Sequence, residues 1–373
     1  MAIVTPELAA IWRRIQVCLI PNLEECLDDP LTERLKQFIA ILEIVRIEDH
    51  VAAPPPDESL QGRPGRPRQD RRPIARAFVA KAVYNLPTTE LLIEMLRLQP
   101  NLRRLCGWER RRQIPSAATF SRALAEFAHA RLGDALHAAL VQKHVGGQLV
   151  MHLSRDSTEI CARERAAAPP KAEPVPPKKR GRPKKGDVRQ PQKTRLQKQM
   201  EQSVEEAIAQ LPCRCNKGAK TDSKGHWHFW VGWKAHIDWV DGGLPVNVVT
   251  TSASLHDSQV AIPMARRTAE RVTSLYDLMD SAYDAKEIKQ VSRELGHVPI
   301  IDPNRRPANS VPLEPASAVR FRERSVAERG NSRLKDEFGC RNLRVRGHPK
   351  AHLHVMLGIL ALFADQLLKP LTG

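Results

Sequence analysis

The chain has 373 residues, with 59 Lys and Arg against 42 Asp and Glu, a formal net charge of +17. That length suits two or three domains, and so large a positive excess points to a polyanionic partner. Nucleic acid fits better than a membrane surface, because no basic amphipathic helix dominates. An aromatic content of 5% argues against an extended single-strand stacking platform, and seven scattered cysteines suit a reducing cytosol better than a disulfide scaffold.

In residues 1–50, Leu31, Leu35, Phe38, Leu42 and Val45 recur at spacings of three and four and predict a helix with one apolar stripe. Arg13 and Arg14 interrupt the first apolar run, so no secretion signal is expected there. A Pro-rich break at 53–56 closes a helical segment of residues 1–61 and leads into the basic Gly62-Arg-Pro-Gly-Arg-Pro-Arg68. Residues 62–147 read as a helical domain. One helix runs from Pro73 through Tyr84, a second is capped by Thr88 or Thr89, and a third is capped by Ser116 and carries Phe120, Leu124 and Phe127. Arg103, Arg104 and residues 110–112 form a basic cluster between the second and third.

Residues 148–373 alternate strands with helices, apart from a basic interruption at 163–225. Five prolines fall in 166–177, and 171–198 carry eleven Lys and Arg against Glu173 and Asp187, so the segment is expected to be disordered. Its centre, Lys179-Arg180-Gly181-Arg182-Pro183-Lys184, looks like an AT-hook. There Arg180 and Arg182 would enter an A·T-rich minor groove; a solvated linker with nonspecific phosphate affinity is an equal alternative.

Strands are expected at 149–153, 227–238, 245–251, 275–279 and 298–301, and helices at 257–272, 284–294, 322–338 and 350–368. The longest apolar run, Val355 to Ala364, is shorter than the ~18–20 residues that span a bilayer and reads as a buried helix. Cys213, Cys215, His226 and His228 do not follow usual zinc spacing.

Chemistry concentrates in three places. Asp156 and Asp280 each follow an apolar, strand-like segment, Gln148–Leu153 and Leu275–Met279. Downstream, Phe321, Arg324, Glu328 and Lys335 stand at offsets 0, 3, 7 and 14, which on one helix fall within a sector of roughly 60°. A solvated ion-pair stripe would also look like this. His256-Asp257-Ser258 could cap a helix or support a site, with capping the preferred reading, and Lys234 and His236 could reach the same face.

The order and spacing of Phe321, Arg324, Glu328 and Lys335 resemble the Tyr-(2)-Arg-(3)-Glu-(6)-Lys signature of DDE transposases of bacterial insertion sequences, with Phe321 at the tyrosine position. Asp280-Ser-Ala-Tyr-Asp284 is similar to the family's Asp-x-Gly-Tyr-Asp box, with Ala282 for glycine. Residues 225–261 resemble its strand pair ending in His-Asp-Ser.

The resemblance implies an RNase H-like mixed sheet flanked by helices, behind an all-α DNA-binding domain. It implies catalytic, metal-binding Asp156, Asp280 and Glu328 holding Mg²⁺ or Mn²⁺, as two ions, with Arg324 and Lys335 on DNA phosphates and Phe321 binding DNA through a stacking ring, without the tyrosine's hydroxyl. It further implies double-stranded DNA as partner (terminal inverted repeats and target), a homodimer or larger complex on DNA, no membrane, and a cytoplasmic, nucleoid-associated location in a bacterium. Cleavage at the element's ends and strand transfer is the expected reaction. The alternatives are a catalytically idle DNA-binding relative and a metal-dependent nuclease that cuts without joining.

Overall fold

The computed structural model describes residues 31–53, 69–168, 193–221, 225–303 and 312–369. Helices come first: α1 (Glu33–Val45), α2 (Arg72–Val83), α3 (Thr89–Leu98), α4 (Pro100–Cys106), α5 (Ala117–His129) and α6 (Leu132–His144). Local chemistry explains several starts. The Thr32 and Thr88 side chains accept from the backbone N–H of Leu35 and Leu91, and α2 carries Pro73 in its first turn. Ser116 stands at the N-cap of α5 as expected, but its hydroxyl meets Thr119 Oγ1 at 3.2 Å instead of a backbone amide. Within the expected basic cluster, Arg103 is buried and donates to the carbonyls of Leu96, Arg97 and Glu109, so it braces α4.

The second half holds β1 (Leu149–Ala162), α7 (Arg195–Glu201), α8 (Val204–Ala209), β2 (Asn216–Thr221), β3 (Trp227–Val240), β4 (Leu244–Ser252), α9 (Ser258–Ala269), β5 (Thr273–Met279), α10 (Lys286–Glu294), β6 (Val298–Ile301), α11 (Pro315–Phe321), α12 (Ser325–Asp336), β7 (Asn342–Leu343) and α13 (His348–Leu368). β3 pairs antiparallel with β1 and β4, while β5 runs parallel to β1 and β6 parallel to β5. The spatial order β4-β3-β1-β5-β6, with helices against the sheet, is the RNase H-like mixed arrangement that the motifs implied. β2 extends β3 along its first half.

Three expectations are corrected. β1 runs to Ala162, well past Leu153, because its pairing with β3 continues from Leu153 to Cys161 after its pairing with β5 has stopped at Arg155. Disorder across 163–225 does not hold for 193–221, which form α7, α8 and β2. Their Leu196 and Met200 pack against the apolar cluster that includes Ile262 and Ile288, and Arg266 donates to the carbonyls of Gln199, Met200 and Gln202. Two capping boxes, Thr194 with Gln197 and Ser203 with Glu206, start these helices. The AT-hook-like stretch with Arg180 and Arg182 lies outside the described residues. Finally, the helix expected over 322–338 is α-helical only over Ser325–Asp336, because its first turn, Arg322–Arg324, is 3-10 and joins it to α11.

The α13 helix joins the two halves. It is long and apolar enough to span a bilayer by length and composition alone, but most of it is buried inside the protein. It packs against α1, α2, α5, α6 and β4, so helices and sheet share one apolar core. Each fully buried Leu, Ile, Val or Phe there contributes about 1.5–3 kcal/mol.

Beneath the sheet, Arg155 and Asp238 form a fully buried bidentate pair at 2.7 and 3.0 Å, with Thr268 also donating to Asp238. Removing one partner strands a charge in the core, so Asp238→Ala should cost about 3–5 kcal/mol in denaturant unfolding. Burial pushes the imidazoles of His137 and His236 down to about 4 and that of His354 to about 3. These rings are neutral when folded but take up protons below about pH 6.5 when unfolded. Their contribution is therefore whole above about pH 6.5 and is lost as pH falls from there through their folded values. Thermal unfolding across pH 7 to 4 should show stability falling, with a shallower fall in His354→Gln.

Candidate active site

Strand register brings the two aspartates together. The last parallel pair between β1 and β5 is Arg155 with Met279, so Asp156 and Asp280 are the next residues on adjacent strands. Asp156 is mid-strand, opposite Ile237 of β3, rather than at the strand's end. Asp280 begins a 3-10 turn at Ser281–Tyr283, and its Oδ1 accepts from the backbone N–H of Ala282 at 2.9 Å. Its Oδ1 thus caps that turn, while Oδ2 lies 3.7 Å from the Arg324 guanidinium.

Glu328 arrives on α12, which lies against β1 and β3. Close approach depends on Gly330, where an added Cβ would come within 2.5 Å of the fully buried Trp239 ring. A larger residue there would lift the helix from the sheet.

The three carboxylates converge on Arg324. Its guanidinium lies 3.2 Å from Asp156 Oδ1, 3.7 Å from Asp280 Oδ2 and 2.8 Å from Glu328 Oε1. Asp156 is the deepest of the three at 15% side-chain exposure, and Glu328 the most open at 64%. Burial, followed by the neighbouring Asp280, raises the Asp156 carboxyl above the usual range despite the opposing Arg324. Asp280 is raised for the same first reason. Burial alone would lower Arg324, but the carboxylates outweigh it and hold the guanidinium above its ordinary value.

The other expected residues are placed differently. Lys335 pairs with Glu159 at 3.1 Å. Phe321 closes α11 and is partly exposed.

One residue at the site, Asn331, escaped the sequence reading. Asn331 is buried and donates through Nδ2 to Asp156 Oδ2 at 3.0 Å. Its offset of three from Glu328 and seven from Arg324 puts it on the same stripe, a spacing that could have revealed it. Asp257 makes no side-chain cap on α9, which corrects the preferred capping reading. It pairs instead with Lys234 Nζ at 2.9 Å, while His236 is buried and bonds Thr251 Oγ1 at 2.8 Å. Burial works against ionised Asp257, but His236 and Lys234 outweigh it and hold its carboxyl below the ordinary range. Behind these groups lies the buried Tyr283 hydroxyl, raised well above its usual value by burial and then by Asp257, Asp156 and Asp280. Cys213 and Cys215 donate to the carbonyls of Leu211 and Glu164, and no His/Cys/Asp/Glu group among the described residues is arranged to hold an ion.

An all-carboxylate donor set suits a hard divalent cation such as Mg²⁺ or Mn²⁺, which prefers oxygen, and suits zinc poorly. Arg324 shows that this locus accepts a positive group. The carboxylates fit a divalent cation by chemistry, while the present spacing is set by the guanidinium.

Residues 23–126 match the family described as Transposase domain (DUF772), and residues 189–364 match the Transposase DDE domain. Asp280, Arg324, Glu328 and Lys335 fall inside the second match, whereas Asp156 lies between the two. No curated protein and no solved structure matches the chain. With both transposase domains in this order over most of its length, the chain belongs to the DDE transposases of insertion sequences.

Proposed function

We propose that this transposase cuts one DNA strand at each end of its element and joins the freed 3′-hydroxyl to target DNA at Asp156, Asp280 and Glu328. The observation that carries the reading is the convergence of these carboxylates, from three separate stretches of chain, on one guanidinium. A pure DNA binder has no use for such a costly concentration of like charge.

Asp156, Asp280 and Glu328 would hold two divalent cations, Mg²⁺ or Mn²⁺. The chemistry that such a pair supplies is activation of the attacking oxygen and stabilisation of the leaving one. The protein's own part is positioning. β1 and β5 fix the two aspartates side by side, and α12 brings Glu328 onto them from the solvent side. Arg324 is fork-shaped and permanently charged, so it can take a phosphate of the bound end. Lys335 is tied to Glu159 and would need to leave it to do the same. An element has two ends, so at least two copies act together in the working complex.

The test uses duplex DNA carrying the sequences that flank the chain's own coding frame. Glu328→Gln keeps the side chain's shape but removes a charge worth several kcal/mol to the reaction, a rate loss on the order of 10²–10³-fold. Strand cleavage in Mg²⁺ should fall by that much while affinity for the DNA stays near the original. Undiminished cleavage would leave the Glu328 stripe a surface ion-pair face.

A further inference from the structure

We propose that Asn331 is a positioning residue that holds Asp156 for cation binding, and that Arg324, the second donor on that carboxylate, is the group a cation displaces. This rests on the reading of Asp156, Asp280 and Glu328 as cation ligands. Each Asp156 oxygen has its own donor: Oδ1 receives Arg324 Nη2 at 3.2 Å, and Oδ2 receives Asn331 Nδ2 at 3.0 Å.

The two donors differ in kind. Asn331 is neutral and buried at 5% exposure, so its bond can persist beside a bound cation. An ionised carboxylate only accepts hydrogen bonds, which obliges the amine end of Asn331 to face it. Asn331 stands one turn beyond Glu328 on α12, so the helix that delivers one carboxylate also orients another on β1. Such a bond removes rotational freedom from Asp156 without adding charge.

Arg324 is the opposite case. Its charge lies among all three carboxylates, and a divalent cation brought to the same oxygens would be repelled by it. Its Nε is buried without a hydrogen-bond partner, so this seat leaves one of its donors unsatisfied. A DNA phosphate offers the guanidinium a fork-matched alternative. DNA that draws Arg324 away would therefore ease cation entry, and by reciprocity a bound cation would favour DNA.

Manganese titrations of the full chain without DNA, followed by the electron paramagnetic resonance of free Mn²⁺, test both halves. Asn331→Leu and Asn331→Ala should weaken Mn²⁺ binding about 10–100-fold, the usual effect of losing a residue that orients a metal ligand. Arg324→Gln should strengthen it, and Asp156→Asn should remove it in every background. Asn331 variants that melt like the parent yet bind Mn²⁺ equally well would overturn the positioning role. Unfolding of both would also overturn it, making Asn331 a structural residue. Unchanged or weaker binding in Arg324→Gln would overturn the displacement. If Asp156→Asn binds Mn²⁺ like the parent, the cation-site reading itself fails, an outcome distinct from the others.

Discussion

Three carboxylates can share one end of a sheet only if something positive lies among them. In this protein that something is Arg324, whose guanidinium reaches Asp156, Asp280 and Glu328 together. Burial already disfavours the ionised forms of the two aspartates, and a neighbouring carboxylate, Asp280 for Asp156 and Asp257 for Asp280, adds to the cost. Arg324 offsets that cost from the junction between α11 and α12, where the chain tightens into a 3-10 turn.

Everything around the site keeps these groups in register. β1 is flanked by β5 on one side and β3 on the other, and Asp156 sits where the first pairing ends and the second continues. One residue earlier, Arg155 points into the core and is neutralised by Asp238, so alternate residues of one strand serve the interior and the site. The contact of Gly330 with Trp239 sets how near α12 can lie. Behind the sheet, α13 ties it to the amino-terminal helices, which fixes any DNA held by those helices relative to the carboxylates.

Much of this was legible in the chain. Strands over Trp227–Val240, Leu244–Ser252 and Val298–Ile301 follow from β-branched and aromatic runs, and the capped α3 from Thr88 followed by an apolar face. Arg324 and Glu328 stood out through spacing, and Asp280 through the strand-like run before it. What escaped depends on tertiary contact. The extent of β1 is decided by pairing partners distant in sequence, and Asn331 matters only because β1 lies under it. Residues 193–221 looked like part of a charged, proline-rich segment, and composition averaged over the stretch hid two capping boxes and the apolar Leu196 and Met200. A periodicity argument also assumes one uniform helix, which the 3-10 turn before Ser325 violates.

Asp156, Asp280 and Glu328 are proposed to form a divalent-cation site which Arg324 occupies until DNA and metal arrive. Anomalous scattering from Mn²⁺ in crystals of the protein bound to its element's end tests it most directly. The account predicts manganese peaks within ligand distance of all three carboxylates, with Arg324 turned onto a DNA phosphate and Asn331 still bonded to Asp156. Peaks elsewhere, with the guanidinium still seated among the carboxylates, would contradict it.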